Sequence, residues 1–178
     1  MNRVNRVLYE GIVDELDISD ESCLLDIGFG NGYLEKMIMK KGKCHITGID
    51  ISEDMVRKAI ENNQKYVDAG AVIFQLGDCC NLDFPDSSFD AGTTINTIYF
   101  WEDTIKGLSE INRVLKPGGV FYNAVLPKEK LDKFFYTKNG FKKFELEEYV
   151  RFGKAAGFEK TETKTLGNKY GLLVIYRK

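Results

Sequence analysis

The chain is organised around one stretch, which reads Leu24-Leu25-Asp26-Ile27-Gly28-Phe29-Gly30-Asn31-Gly32-Tyr33. Its apolar beginning is typical of a buried parallel strand, and residues 34–39 have the apolar spacing of a helix. Three glycines at alternate positions join the two segments. Glycine adopts positive φ and lets a ligand approach the main chain, and a helix N-terminus offers free N–H groups. The stretch therefore predicts a strand, a nucleotide-cofactor loop and a helix.

The spacing of the glycines separates this loop from the dinucleotide fingerprint Gly-x-Gly-x-x-Gly. Gly32 falls one residue early, and Tyr33 stands where that fingerprint requires glycine. Asp26 adds a carboxylate two residues before Gly28. A glycine-rich loop alone could be a tight turn that binds nothing, so the order of the later elements has to decide.

The composition favours one ordinary domain. The chain has 178 residues, of which 43% are hydrophobic and 29% charged, enough for one core and short for two. A net charge of −2 gives no electrostatic case for nucleic acid or an anionic membrane as partner. No apolar run approaches the roughly 20 residues of a membrane span, and residues 1–6 lack the apolar core of a signal peptide. We therefore expect a cytoplasmic protein with neither a membrane nor a nucleic-acid partner.

The cysteines and the single histidine do not follow a metal-site pattern. Cys79 and Cys80 are adjacent and lack the spacing of a zinc or redox motif. Cys23 and Cys44 fall at predicted strand starts, where a cysteine usually packs as a small apolar residue. His45 lies in a strand pattern, which favours a core or sheet-edge role. We expect no bound metal, and a Ser-His-Asp or Cys-His mechanism would depend on His45 alone.

An acidic residue closes the predicted second strand. Asp50 follows the strand pattern of residues 44–49, and an acid at this tip of a doubly wound sheet accepts hydrogen bonds from ribose hydroxyls. The alternative is a helix cap, but Ser52 suits that role better because Glu53 and Asp54 follow it in the first turn. Asp50 is therefore favoured as a ligand contact.

The predicted fourth strand, residues 89–96, leads into an aromatic cluster. The residues after it continue past the carboxyl end of the strand, where open α/β sheets bind ligands. Phe100 is interpreted as core. Tyr99 and Trp101 fit the core or a pocket equally well, because each has a polar atom suited to a partly wet site.

The other segments complete an alternation of helices and strands. Pro117 and the two glycines after it end a helix and turn the chain into a fifth strand. A turn at 137–140 and a hairpin at 166–169 precede the later elements, so the last strand is antiparallel. The patterns predict helices over 2–16, 52–68, 102–115, 128–136 and 145–156, and strands over 44–49, 71–76, 120–125, 159–165 and 170–176.

This order of motifs resembles that of class I S-adenosylmethionine-dependent methyltransferases of the small-molecule type, related to the ubiquinone and menaquinone biosynthesis methyltransferases. The shared motifs are the Asp-x-Gly-x-Gly-x-Gly loop, the acid after the second strand, Gly77-Asp78, Phe89-Asp90 and the run Leu-Lys-Pro-Gly-Gly. Together they cover residues 23–178.

The resemblance implies an α/β fold with a doubly wound, Rossmann-like, seven-stranded sheet. The sheet would be mostly parallel, with an antiparallel last strand and helices on both faces. The chain would form a single methyltransferase domain. Residues 1–21 would be an N-terminal helix that covers the site, residues 22–126 the cofactor-binding core, and residues 127–178 a substrate-side segment with the final strands.

The resemblance also implies that S-adenosylmethionine is the cofactor. Gly28, Gly30 and Gly32 would border its methionine and ribose parts, with Asp26 near the amino group. Asn96, just past the fourth strand, would lie near the methionine end and the transferring methyl group.

Four further residues would bind the nucleoside. Asp50 would hold the ribose hydroxyls, and Ile51 would lie against the adenine. Asp78 would accept from the exocyclic amine, and the main-chain N–H of Cys79 would face a ring nitrogen. Taken alone, Asp78 would more often be an ordinary turn residue, but its position after the third strand, with Asp26 and Asp50 already placed, favours the ligand contact.

The implied reaction is an in-line displacement that moves the sulfonium methyl group to a small-molecule acceptor. Such a site mainly aligns the reactants and excludes water, although an oxygen or nitrogen acceptor can need a general base. Tyr99 is a candidate for that contact, and Tyr9 and Tyr136 could approach from the covering segments.

Two departures from the family pattern lead to further expectations. Phe29 stands where a small residue or cysteine is common, which would narrow the loop. The covering segments are short, so a homodimer could complete the acceptor site. Two other functions stay open: a non-catalytic domain that binds S-adenosylmethionine and regulates a partner, and a nucleotide-cofactor oxidoreductase. The second is disfavoured by Tyr33.

Overall fold

The computed structural model describes residues 3–137 and 140–178, without the side chains of residues 3, 4 and 136. Part of the predicted turn, at residues 138–139, and the side chain of Tyr136 therefore lie outside the described residues. The helices are α1 Arg3–Glu15, α2 Tyr33–Lys41, α3 Glu53–Asp68, α4 Thr104–Val114, α5 Lys128–Leu131 and α6 Leu146–Ala155. The strands are β1 Cys23–Ile27, β2 His45–Asp50, β3 Val72–Leu76, β4 Phe89–Ile95, β5 Leu115–Val125, β6 Lys160–Leu166 and β7 Gly171–Arg177.

The described strands form one sheet in the order β3-β2-β1-β4-β5-β7-β6. The first five strands in this order are mutually parallel, and β7 runs antiparallel to both β5 and β6. The chain starts at β1, moves outward to β3 and then returns to β4. The crevice between β1 and β4 is therefore the switch point at which such sheets bind ligands, and the predicted fold is confirmed.

Helices cover both faces of the sheet. On one face Tyr122 of β5 donates to the carbonyl of Glu15 in α1, and α1, α2 and α3 pack in succession. On the other face Phe121 contacts Trp101 and Tyr176, and α4 packs against α6. This second face carries the aromatic core, and the first carries the glycine loop.

The glycine run before the fifth strand lies inside that strand, which corrects the predicted start at Val120. Leu115 already pairs with Phe89, and the next pair joins Val120 to Ala91, so the intervening residues bulge from the ladder. Gly118 supplies the positive φ of +78° that this bulge requires.

The helix predicted over residues 128–136 is also wrong. It stops at Leu131, and a 3₁₀ turn follows at Phe135–Thr137. The hydroxyl of Thr137 donates to the carbonyls of Leu131 and Phe134. Such local side-chain bonds compete with helix continuation, and the amphipathic pattern gives no sign of them.

Gly48 of β2 leaves room for an aromatic pair beneath the glycine loop. The rings of Phe29 and Phe74 lie 4.8 Å apart, and a Cβ at Gly48 would come within 2.7 Å of Phe29 Cδ1. Phe29 thus turns into the core, and the expectation that it narrows the loop is wrong.

We expect Gly48→Ala to lower the free energy of unfolding by about 1–3 kcal/mol, because the added methyl group overpacks this contact. Urea denaturation of the two proteins measures the difference. Gly42→Ala is the matched control: its Cβ would meet nothing closer than 3.5 Å, and we expect a change within about 0.5 kcal/mol. Equal effects at the two glycines would contradict the packing argument.

Candidate active site

The three glycines after β1 all adopt positive φ. Gly28, Gly30 and Gly32 have φ values of +71°, +57° and +74°, which residues with a Cβ rarely adopt. The N–H of Gly28 donates to the carbonyl of Ile49 over 2.7 Å, so the loop is tied to the end of β2. The glycines turn the chain directly from β1 into α2.

Crowding adds a second reason for glycine at two of these positions. A Cβ at Gly28 would lie 2.4 Å from Thr97 Cγ2, and one at Gly32 would lie 2.4 Å from Asn63 Nδ2. The buried amide of Asn63 donates to the carbonyls of Gly32 and Ala59, and its φ of −120° interrupts α3. Sequence reasoning missed Asn63, although a mid-helix asparagine often bonds the main chain.

Asp50 joins the glycine loop to the start of α3. One carboxylate oxygen accepts from the N–H of Gly30 and the other from the N–H of Ser52, both over 3.0 Å. Ser52 is the helix cap and accepts from the N–H of Met55, as the sequence predicted. Each oxygen can accept one more hydrogen bond, and because the carboxylate is only half-buried, a ligand can reach it.

A cleft of about 350 Å³ lies at the carboxyl ends of β1, β2 and β3. It brings together five of the nine predicted cofactor-binding residues, and the other four lie outside its lining. The five are Gly28, Asp50, Ile51, Asp78 and Cys79. Ile51 is 76% exposed at its mouth, which leaves an apolar surface free for a flat ligand.

Asp78 and Cys79, which follow β3, line the cleft on the side of that strand. Asp78 is exposed and accepts from the N–H of Cys80 over 2.9 Å, while burial raises the pKa of the Cys79 thiol. Ligand atoms of Asp78, Cys79 and Cys80 lie within 4.8 Å of one another. Metals bind the thiolate, which the raised pKa disfavours. The absence of a metal stays a prediction.

The opposite wall comes from residues after β4, of which sequence reasoning did not single out Thr97 and Glu102. Trp101 is buried, and its indole N–H donates to Thr97 Oγ1 over 3.1 Å. Phe100, interpreted as core, is 54% exposed and lines the cleft with Glu102. That interpretation was wrong because the 3₁₀ turn Ile98–Phe100 turns its ring outward and Tyr99 inward.

Tyr99, the catalytic candidate, is 1% exposed and does not line this cleft. Its hydroxyl donates to the carbonyl of Leu126 over 3.1 Å and accepts from the N–H of Leu126 over 2.8 Å. Burial raises its pKa. The side chain therefore fastens β5 to the turn after β4, and the catalytic prediction does not fit the structure.

Asn96 has a φ of +57°, which is uncommon for a residue with a side chain. Its Oδ1 accepts from the Tyr99 hydroxyl and the N–H of Leu126, each over 3.2 Å. Its Nδ2 donates to Asn5 of α1 over 3.3 Å. These bonds hold the backbone at the end of β4, next to the cleft, and link it to α1.

Asp26 is almost completely buried under the glycine loop. Thr93 of β4 donates to its Oδ1 over 2.6 Å. Burial raises its pKa to about 6. Glu35 of α2, which sequence reasoning missed, is fully buried beside it. Gly30 and Gly32 also lie outside the cleft lining, and Gly32 lies against Ala59 and Asn63 of α3.

No described helix is both long and apolar enough to cross a lipid bilayer.

Comparison with known proteins identifies the family of this chain. The family described as "Methyltransferase domain" matches residues 25–123. The uncharacterized methyltransferase YdaC of Bacillus subtilis (strain 168) is 32% identical over 156 residues, which cover 87% of this chain and 81% of that protein. The demethylmenaquinone methyltransferase of Desulfitobacterium hafniense (strain Y51) is 34% identical over 124 residues, which cover 68% of this chain and 49% of that protein.

A solved structure shows the same fold. The chain superimposes on a SAM dependent methyltransferase from Aquifex aeolicus with a TM-score of 0.78 and 24% identity. The alignment covers 99% of this chain and 93% of that one. The family match spans more than half of the chain, and the glycine loop, Asp50 and Asp78 all lie inside it. The chain therefore belongs to the methyltransferase-domain family, with the class I fold that its sequence predicted.

Proposed function

We propose that this methyltransferase binds S-adenosylmethionine in the 350 Å³ cleft and transfers its methyl group to a small-molecule acceptor by in-line displacement. The observation that carries the proposal is the meeting of a positive-φ glycine, Gly28, with two carboxylates, Asp50 and Asp78, in one cleft at the switch point of the sheet. The relative from Aquifex aeolicus is described as SAM dependent. The nucleotide-cofactor oxidoreductase is disfavoured by the family match.

The nucleoside contacts follow from the cleft lining. Asp50 would accept from the ribose hydroxyls with the lone pairs that Gly30 and Ser52 leave free. Asp78 would accept from the adenine amine, with the main-chain N–H of Cys79 beside it. Ile51 and Phe100, both exposed at the mouth, supply apolar contact surface. The two carboxylate acceptors, the main-chain N–H donor and the apolar surface thus match the groups of an adenosine.

The methionine end would lie toward the glycine loop. Gly28, with its positive φ, brings main chain to the cleft lining, and Asp26 provides negative charge behind it. Asn96, held by three side-chain hydrogen bonds, borders this end and connects it to α1. Residues 1–21 and 127–178 would flank the acceptor side, and the C-terminal segment lines a further cavity of about 520 Å³.

When bound, the cofactor supplies a methyl group that is already activated on a sulfonium. The chain therefore needs to align the acceptor and exclude water, not to generate a nucleophile of its own. Tyr99 cannot act as a general base through a hydroxyl that is buried and bonded to Leu126, so its role is to position the turn after β4.

The relatives favour a small-molecule acceptor without identifying it. One is a demethylmenaquinone methyltransferase, which supports an organic acceptor of modest size. The chain spans about half the length of that relative, so its substrate is not transferred to this chain. Completion of the acceptor site by a second subunit stays a prediction.

Calorimetric titration of the purified chain tests the cofactor directly. We expect S-adenosylmethionine and S-adenosylhomocysteine to bind with micromolar affinity, about −8 kcal/mol, and NADH not to bind. Labelled methyl transfer to a panel of phenols, amines and thiols then separates an enzyme from a regulatory binding domain. A folded protein that binds neither sulfur compound would overturn the proposal.

A further inference from the structure

Two buried carboxyl groups lie beneath the glycine loop. Glu35, in the first turn of α2, is 0% exposed. Among the described residues, neither of its carboxyl oxygens meets a hydrogen-bond donor. Asp26, at the end of β1, is buried beside it. An unpartnered buried carboxyl group is costly, so this pair calls for an explanation.

The two carboxyl groups lie near enough for each to act on the pKa of the other, so a shared proton could join them in a hydrogen bond. Two ionised carboxylates have no proton for such a bond, so the contact requires one proton between them. Burial and the charge of Asp26 raise the pKa of Glu35 well above its usual range, whereas the pKa of Asp26 rises to about 6. Thr93 donates to Asp26 over 2.6 Å, whereas no described group donates to Glu35, so the proton resides on Glu35 and Asp26 carries the negative charge.

The surrounding groups that the structure describes do not supply a positive charge. Asp50 of β2 acts on both carboxyl groups and raises the pKa of each. Tyr9 of α1 faces the pair, and burial together with these acids raises its pKa to about 12. Its ring packs edge-on against Tyr33 of α2. The polar group from β4 is the Thr93 hydroxyl, which is neutral.

We propose that Glu35 is a positioning residue for the cofactor, because its protonated carboxyl group donates to Asp26 and keeps Asp26 anionic for the α-ammonium group of the cofactor. The inference deepens the proposed function and rests on it. Asp26 directly precedes Ile27 and Gly28, which line the cleft, so its charge acts at the amino-acid end. The Glu35 proton thus substitutes for a cation that the described residues do not provide.

The proposal predicts a pH profile that depends on Glu35. Cofactor affinity should be constant above pH 7 and fall below about pH 6, as Asp26 becomes protonated. Glu35→Leu removes the donor, so the pKa of Asp26 rises and the midpoint should move up by about one pH unit, which weakens binding roughly threefold at pH 6.5. Glu35→Gln keeps an N–H donor and should restore the wild-type midpoint.

The experiment is calorimetric titration of the wild type, Glu35→Leu and Glu35→Gln with S-adenosylhomocysteine at half-unit steps from pH 5.5 to 8. Methylthioadenosine, which lacks the amino-acid end, is the matched control ligand, and its affinity should show no such midpoint. Titrations at pH 6 in buffers of different ionisation enthalpy should show proton release only with S-adenosylhomocysteine.

Three results would overturn the inference. They are a wild-type profile that is flat across this range, a Glu35→Leu profile that coincides with the wild type, and equal shifts in both variants. The first remains decisive even where Glu35→Leu does not fold. Binding with the wrong pH profile would sink this inference alone, whereas no binding at any pH would sink the proposed function.

Discussion

Asp50→Ala is expected to weaken S-adenosylmethionine binding by 100-fold or more. The carboxylate accepts from the N–H groups of Gly30 and Ser52. Its loss therefore removes the bond that holds the glycine loop as well as the contacts to the ribose hydroxyls. Hydrogen bonds to a charged group contribute about 1.5–3 kcal/mol each, and two ribose contacts correspond to roughly 3–6 kcal/mol or more than 100-fold in affinity. Calorimetric titration at pH 7.5 measures the loss.

Asp54→Ala is the matched control for this variant. Asp54 lies in the first turn of α3, four residues away, with an exposed side chain that pairs with Arg57. It removes the same charge without touching the cleft, and we expect binding within twofold of the wild type. Thermal melting verifies that both variants fold. An Asp50→Ala protein that folds and binds within threefold of the wild type would rule out the ribose role.

The ligand-free protein should become less stable as the pH rises from 5 to 8. Asp26 has an ordinary pKa of 3.8 that folding raises to about 6, and burial and Asp26 raise the pKa of Glu35 from 4.5. The folded state therefore retains protons that the unfolded chain has already lost, and stability falls with pH wherever this holds. A pKa that differs by one between the folded and unfolded states corresponds to about 1.4 kcal/mol, so we expect a loss on the order of 2 kcal/mol.

Urea denaturation at pH 5, 6, 7 and 8 measures this slope. Glu35→Gln removes one of the two titrating groups, so its stability should fall less and exceed that of the wild type at pH 8. Glu61→Gln, on the exposed side of α3, makes the same exchange at a solvent-exposed position and should leave the slope unchanged.

The pKa values of Asp90 and Glu110 are lowered, because their hydrogen bonds and ion pairs outweigh the opposing effect of burial. Protonation of these two groups lowers the stability only as the pH falls toward 4, which is outside the range from pH 5 to 8. A wild-type stability that rises from pH 5 to 8 would contradict the buried pair.

Much of the site could be predicted because its residues act through the main chain. The positive φ at Gly28, Gly30 and Gly32 is a requirement of the local backbone, and the glycines themselves predict it. The acid at the end of β2 and the serine cap after it follow the same logic, since each is defined by its place at a strand or helix end. Such features need no knowledge of distant contacts.

Other parts of the site depend on contacts between distant segments. Asn63 reaches the loop from α3, and Thr97 fills the space that Gly28 leaves. Phe100 lies outward, against its expected place in the core, and Tyr99, for which core and pocket were left open, lies inward, because a 3₁₀ turn sets which ring faces outward. A segment of five residues is too short for its periodicity to show which of these two rings faces the core.

The sequence alone determined the order of helices and strands, the glycine loop and the family, because periodicity and glycine spacing are properties of neighbouring residues. Only the tertiary structure decided that five of the predicted residues share one cleft, that Tyr99 belongs to the core and that Asp26 has a buried acid as its partner. Burial and proximity set the charge of a carboxyl group, and both arise only when α2 packs onto the sheet.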